Sequence, residues 1–418
     1  MDARQEKGLL IAATSKIERN QLGLWKVPSQ AGNGISYVVN LDHGHPFCSC
    51  PDFEKGNHCK HLYAVEYVAQ RETKPDGTIV ETQAMRVTYA QNWPVYDTAQ
   101  MRERERFVEL LRDLCNGIPQ PPQTFGRPKL ALSDVVFGIV LKVYSTVSGR
   151  RVMSELREAE IKGLVCKSPS FASTFRYLEK PELTPLLKVL IEQSASPLKA
   201  IESDFAVDSS GFATTTYNRW YDAKWGKMKS EAKWIKAHLM TGVKTHVVTS
   251  VEVTATETAD APQLPDLVKK TAETFTVKEV SADKAYSSKK NLRVIDALGA
   301  TPYIPFKNYS LGKQGSHGFD CLWDKMWHFY NFNKATFMQF YHKRSNVETT
   351  LSMIKSKFGA SVRAKTPVAQ VNEVLCKILC HNICVLVQSI YELRLEPTFW
   401  TSDTEEPVVP EVALKMGF

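Results

Sequence analysis

Residues 204–217 read DFAVDSSGFATTTY and residues 234–253 read WIKAHLMTGVKTHVVTSVEV. β-Branched and aromatic residues crowd both stretches, which is strand composition. Four strand-like runs result: Asp204–Val207, Phe212–Tyr217, Trp234–Leu239 and His246–Val253. Beyond them the pattern alternates, with a helix over Asp266–Thr274, a strand over Thr276–Val280, a helix over Ser288–Leu298 and a strand over Thr301–Pro305. Long helices follow Lys325. Adjacent strands followed by alternating helices and strands predict an α/β fold, a mixed sheet flanked by helices.

Working outward, the segment Ser194–Ala200 closes this domain on its N-terminal side. Before it lies a helical region. Ser133 is placed to cap a helix carrying Val135, Val136, Ile139 and Val140, and Pro181 stands like a first-turn proline before Leu183, Leu186, Leu187, Leu190 and Ile191. A second boundary is NGIPQPPQTFGRPKL, residues 116–130, with four prolines and two glycines. An amphipathic helix over Thr98–Cys115 precedes it, and before that come a short strand at Ser36–Asn40, a Cys/His-rich knuckle and a helix over Lys60–Arg71. The expected organisation is therefore a finger region 1–75, a connecting helix within 76–116, a helical domain 117–198, an α/β domain 199–395 and a loosely ordered tail 396–418.

Of 418 residues, 43% are apolar and 23% charged, the composition of a folded chain and not of a disordered one. No run of about 18 apolar residues is present, so no membrane span is expected. The most apolar stretch, Val374–Leu386, contains Lys377 and His381 and reads as a buried helix. Nine scattered cysteines do not make a disulfide framework, so a reducing compartment is expected, the cytoplasm or wherever the DNA is kept. Cys376, Cys380 and Cys384 recur every fourth residue and read as a core stripe. The net charge is +8, and its distribution is uneven. Between Lys325 and Pro367 eight basic residues stand against a single acid, Glu348, a field suited to a polyanion.

Cys48-x-Cys50-x8-Cys59-x-His61 supplies three thiolates and an imidazole, a full tetrahedral set for Zn²⁺ with no open position, hence a structural site. The surrounding CSCPDFEKGNHCKHLYAV resembles a SWIM-type zinc finger. That resemblance implies contact with DNA or with protein.

Three acids stand out by position. Asp208 follows the run Phe205-Ala206-Val207, Asp283 follows Val277–Val280 within SADKAYSS, and Glu348 lies in YHKRSNVETTLSMIK. Two carboxylates at strand ends and one on a later helix form an oxygen donor set for one or two Mg²⁺ ions. Asp204 competes for the first position, but precedes its strand and lacks the Ser-Gly turn. Tyr341, Arg344, Glu348 and Lys355 share a helix face within an arc of about 60° at about 100° per residue. Alone, such a face is an ordinary solvated one.

Four positions together satisfy Y-x2-R-x3-E-x6-K, and in this the chain resembles the YREK-bearing DDE transposases of bacterial and archaeal insertion sequences. VDSSGF around Asp208 is similar to that family's first acidic motif and ADKAYSS around Asp283 to its second, in the right order over about Lys199–Glu392. The resemblance implies a ribonuclease H-like fold. It implies Asp208, Asp283 and Glu348 as catalytic ligands of Mg²⁺ (or Mn²⁺), with Tyr341, Arg344 and Lys355 binding DNA. It also implies double-stranded DNA, as transposon ends and target, for partner, with the protein dimeric on it. The interval between Asp283 and Glu348 is too short for the β insertion of some members, so the resemblance does not extend to hairpin formation or to a role in it for Trp323 and Trp327. For end recognition, the expectation falls on the helical region with Arg150 and Arg151, either a helix-turn-helix or a spacer with basic loops. Two other readings are a catalytically silent DNA-binding protein and a nuclease without strand transfer.

Overall fold

The computed structural model describes residues 3–20, 23–29, 35–41, 46–73, 79–83, 92–122, 125–126, 129–214, 224, 234–307 and 321–400. The chain forms two compact units, Met1–Gln91 and Asn92–Phe418.

In the first unit, helix α1 (Ala3–Thr14) precedes an antiparallel sheet in the order β1 (Glu18–Arg19), β2 (Trp25–Pro28), β3 (Ser36–Asn40) and β4 (Phe47–Cys48). A one-turn helix α2 (Pro51–Glu54) and helix α3 (Lys60–Val68) follow, then a hairpin of β5 (Ala69–Thr73) and β6 (Ile79–Gln83). The expected helix to Arg71 thus stops at Val68, where the chain turns into β5. Ile11, Trp25, Val27, Val39, Leu62 and Val65 form a small core together with the three cysteines of the knuckle.

The second unit begins with α4 (Trp93–Met101), α5 (Glu103–Asn116), α6 (Leu132–Tyr144), α7 (Met153–Ile161), α8 (Phe171–Leu178) and α9 (Leu183–Ala195). The single helix expected over 98–115 is two, meeting at Arg102. Ser133 does not cap α6. The N-cap position is Ala131, and the Leu132 amide donates instead to Gln120 Oε1 at 2.7 Å. Asp134, next along, is buried and accepts from Arg112 (2.9 Å) and from the amides of Cys166 (3.0 Å) and Lys167 (3.2 Å). Pro181 lies in the turn before α9, not in its first turn.

The sheet follows, with β7 (Asp204–Ala213), β8 (Trp234–Gly242) and β9 (Val248–Ala255) as an antiparallel meander. Helix α10 (Leu264–Ala272) leads to β10 (Glu279–Ala282), which lies parallel to β7, and α11 (Lys289–Asp296) leads to β11 (Thr301–Tyr303), parallel to β10. The five-stranded order is β11-β10-β7-β8-β9, a mixed sheet as expected. Helices α12 (Cys321–Phe332), α13 (Lys334–Tyr341), α14 (Ser345–Phe358) and α15 (Pro367–Leu393) complete the unit. By length and hydropathy α15 alone among the described helices passes for a membrane span, but 78% of its apolar window is buried in this unit. It carries the cysteine stripe inward: Cys376 and Cys380 are fully buried, and Cys380 Sγ reaches the Val140 carbonyl at 3.6 Å.

The start of the expected loose tail is seated. Phe399 is buried and Trp400 Nε1 donates to the carbonyls of Asp113 and Leu114 at 3.2 Å. Residues 401–418 lie outside the described residues, as do His43 and His45 of the knuckle loop and residues 215–217 of the strand expected at Phe212–Tyr217.

Candidate active site and metal centre

Cys48 ends β4, Cys50 immediately precedes α2, Cys59 immediately precedes α3 and His61 lies in its first turn. All four are buried, and their ligand atoms lie within 4.8 Å of one another. Neither ring nitrogen of His61 has a hydrogen-bond partner. A buried imidazole without a partner costs stability unless something binds it. The vacant donor and the three thiols around it therefore fit a tetrahedral Zn²⁺ with no position left for a substrate. His58 belongs to a different contact, with Glu66 at 3.0 Å.

The acidic positions converge beside the C-terminal end of β10, at the middle of β7. Asp208 does not end its strand: β7 continues to Ala213, and Asp208 pairs opposite Leu239 of β8. On its other side Val207 lies opposite Ala282, so Asp283, one residue past the end of β10, emerges beside Asp208. The Asp208 and Asp283 carboxylates each accept from the following amide, Ser209 at 2.8 Å and Lys284 at 2.7 Å. Glu348, in the first turn of α14, faces Asp208 across an open cleft of about 500 Å³ lined also by Ser209, Ser210, Ser352 and Lys355.

Arg344 stands between two of the acids. Its Nη1 donates to Asp208 Oδ2 at 2.6 Å and its Nη2 pairs with Glu348. Burial raises the Asp208 carboxyl above its ordinary value; Glu348 and Asp283 push the same way, against the Ser209 amide and Arg344. A carboxylate made harder to ionise by burial, and further by two neighbouring acids, is one that gains from a cation. The donor set is all oxygen and suits a hard divalent ion. It is nevertheless less tightly drawn than the knuckle, which is the one group within 4.8 Å among the described residues.

The helix expected to carry Tyr341, Arg344, Glu348 and Lys355 is broken. α13 ends at Tyr341, a 3₁₀ turn takes His342–Arg344, and α14 begins at Ser345. The turn brings both its long cations to β7: Lys343 meets Asp204 (2.7 Å) and Glu279 (2.6 Å), while Arg344 meets Asp208. Asp204 is thus held in an ion triad at the start of its strand, away from the cleft. Tyr341 is half-buried, its ring centroid 6.0 Å from the Arg344 guanidinium. Lys355 donates to Ser210 Oγ at 2.5 Å and lies 5.2 Å from the Phe212 ring centroid; burial lowers its pKa.

Several residues that position the cleft are ones whose partners sequence reasoning did not place. His246, at φ +64° in the β8–β9 turn, reaches Thr350 Oγ1 (3.2 Å) and the Asn346 carbonyl (3.3 Å) on α14. His381 Nε2 on α15 holds the His246 carbonyl at 2.9 Å. Buried Glu202 accepts the amides of Lys244 and Thr245 and shapes the same turn. At the far end of α14, Gly359 at φ +87° turns the chain so that Ala360 and Val362 bond to Ala213 of β7. Lys377 then ties down the carbonyls of Gly359 (2.9 Å) and Ser361 (2.7 Å). Behind Ser209, Tyr286 and His238 are both buried, 3.4 Å apart. Trp323 packs edge-on against Phe306 at 4.7 Å, and Trp327 lies against the core.

Comparison with known families gives two matches. Residues 199–383 match the transposase DDE domain, and residues 37–70 match the SWIM zinc finger. Among curated proteins none matches the chain. The sheet and its acids fall in the first region and the Cys/His cluster in the second. The chain thus carries a transposase DDE domain over residues 199–383, C-terminal to a SWIM zinc finger over residues 37–70.

Proposed function

We propose that this chain cleaves DNA at transposon ends and joins them to target DNA, as the insertion-sequence members of the YREK type do, with Asp208, Asp283 and Glu348 as its catalytic carboxylates. The observation that carries the reading is the convergence of these three acids, from β7, the end of β10 and α14, with Arg344 between two of them. The three carboxylates would hold Mg²⁺ or Mn²⁺, and the bound ions would supply activation of the attacking hydroxyl and stabilisation of the leaving 3′ oxygen.

The chain's own residues do the rest. Arg344, now engaged with Asp208 and Glu348, is freed when those acids gain another cation, and its guanidinium fork then matches a phosphate. Lys355 and Tyr341 flank it and meet backbone oxygens, which sets register without reading sequence. Phosphoryl transfer depends chiefly on such positioning and charge compensation. The substrate is double-stranded DNA, and the pairing of two ends makes the working form a dimer on DNA. The protein works where its DNA is, in the cytoplasm at the nucleoid. The zinc unit is structural and offers a second contact surface.

The test is excision and reintegration of a marker flanked by the gene's neighbouring DNA, comparing wild type with Glu348→Gln. Movement by wild type alone supports the reading. Equal movement by both contradicts the assignment of Glu348. Loss of movement in both, with DNA binding retained and both ends verified in the flanks, favours a silent DNA-binding protein.

A further inference from the structure

A second concave surface of the larger unit lies between the 145–152 loop and helices α7 and α8. It encloses about 650 Å³ and is lined by Arg150, Arg151, Met153, Ser154, Arg157 and Phe171. Three guanidiniums therefore line one cleft, all exposed, and no acid lines it. The acids of α7 are engaged elsewhere. Glu155 meets Arg104 at 3.2 Å, Glu158 meets Lys162 at 2.7 Å, and Glu160 accepts the Ser168 amide at 3.1 Å. Among the described residues none of the three arginines pairs with a carboxylate, in contrast to Lys343 and Arg344 at the carboxylate cleft.

The cleft is also firmly built. Arg150 lies 5.1 Å over the Phe171 ring, and Phe171 meets Phe175 edge-on at 6.5 Å. Gly149 lets the loop approach that far, since a Cβ there would fall 2.6 Å from the Phe175 ring. A stacked guanidinium keeps its donor fork in a set plane. Clustered like charges repel and gain most from an anion carrying several charges.

We propose that this cleft binds the phosphate backbone of duplex DNA, with Arg150, Arg151 and Arg157 each meeting a phosphate. The proposal rests on the reading of the chain as a DNA-acting transposase and adds a place where DNA is held apart from the carboxylates. Nine residues separate α7 from α8, more than the tight turn of a helix-turn-helix, so the surface is assigned to backbone contact and not to base reading.

The experiment measures binding of the full chain to a fluorescein-labelled duplex by anisotropy between 50 and 300 mM KCl, for wild type and for Arg150→Ala/Arg151→Ala/Arg157→Ala. Each phosphate contact contributes about 0.9 to the slope of log K against log salt, so the triple variant should flatten that slope by about 2–3. Its affinity should fall roughly tenfold or more at the lower salts, alike for random and end-containing duplexes. The triple Lys variant, which keeps the charge, should retain most of the slope. An unchanged slope overturns the proposal, whether affinity is kept or lost, and so does a loss confined to one sequence or one equal in the Lys and Ala variants. Unchanged melting and zinc content check that the variants are folded. Failure of the transposase reading shows differently: wild type would bind with a cleft-dependent slope yet move no marker.

Discussion

The two candidate metal sites of this chain are built on opposite plans. The knuckle is closed: four ligands at β4, α2 and α3 are buried within 4.8 Å of each other, and neither His61 ring nitrogen has a hydrogen-bond partner. The carboxylate cleft is open, its Glu348 side chain is 54% exposed, and a guanidinium already compensates two of its acids. The first arrangement suits an ion that holds a fold together, the second an ion that arrives with a substrate. A structural centre contributes folding free energy; a working one needs an open side and a protein that stands without it.

The largest effect should come from the knuckle. Zinc binding to such sites is worth about 10–16 kcal/mol of folding free energy at neutral pH. Cys59→Ser, or treatment with chelator, should therefore unfold residues 1–91, read as new proteolytic cuts there, while the melting of the larger unit stays as it was. A knuckle that keeps its fold without metal would break the comparison from one side.

Next in size is the loss of Glu348. Glu348→Gln should lower strand transfer at least about 10³-fold, near 4 kcal/mol of barrier, while melting of the larger unit changes by less than about 0.5 kcal/mol. If the variant unfolded, Glu348 would be a structural residue and the contrast between the sites would fail.

A third prediction concerns the clamp behind the cleft. Burial lowers the pKa of His381 from 6.5 to about 4, and His246, whose carbonyl it holds, is lowered too, chiefly by burial. The unfolded chain therefore binds protons that the folded one refuses. Stability from this source is fully present above pH 6.5 and is lost as pH falls toward 4, by about 3 kcal/mol for His381 alone. Denaturant melts of wild type and His381→Asn across that range measure it: the variant should lose that part of the acid dependence.

The smallest effect is at Arg344. Its replacement by Gln leaves Asp208, whose side chain is 19% exposed, without its ion pair. The expected cost is about 1–3 kcal/mol, reduced because the site is partly solvated. Millimolar Mg²⁺ should restore more of the melting temperature in Arg344→Gln than it adds to wild type. Equal shifts in both would mean that the acids do not share a cation site.

Much of the sheet was legible because strands of β-branched residues alternate with amphipathic helices, and each such pattern is local. The knuckle was legible for the same reason, since its four ligands fall within fourteen consecutive residues, Cys48 to His61. What could not be read was set by distant partners. Arg344 lies one turn from Glu348, a pairing local enough for helix spacing to suggest; its second bond, to Asp208, spans 136 positions. The same holds for His381 with His246, Lys377 with the turn after α14, and Gln120 with the first amide of α6. A polar residue in an otherwise apolar helix signals that such a partner exists but not where. The break at His342–Arg344 had no Pro or Gly to mark it. It follows from tertiary pairing of Lys343 and Arg344 with β7, which outweighs helical continuity.

The most direct test of the central claim uses purified full chain, a pre-cleaved end duplex with a free 3′-OH, supercoiled target DNA and Mg²⁺. Wild type should join the end to the target, whereas Asp208→Asn, Asp283→Asn and Glu348→Gln should each bind the duplex as tightly and yield no joined product. Joining by any one of these variants at the wild-type rate would contradict the account.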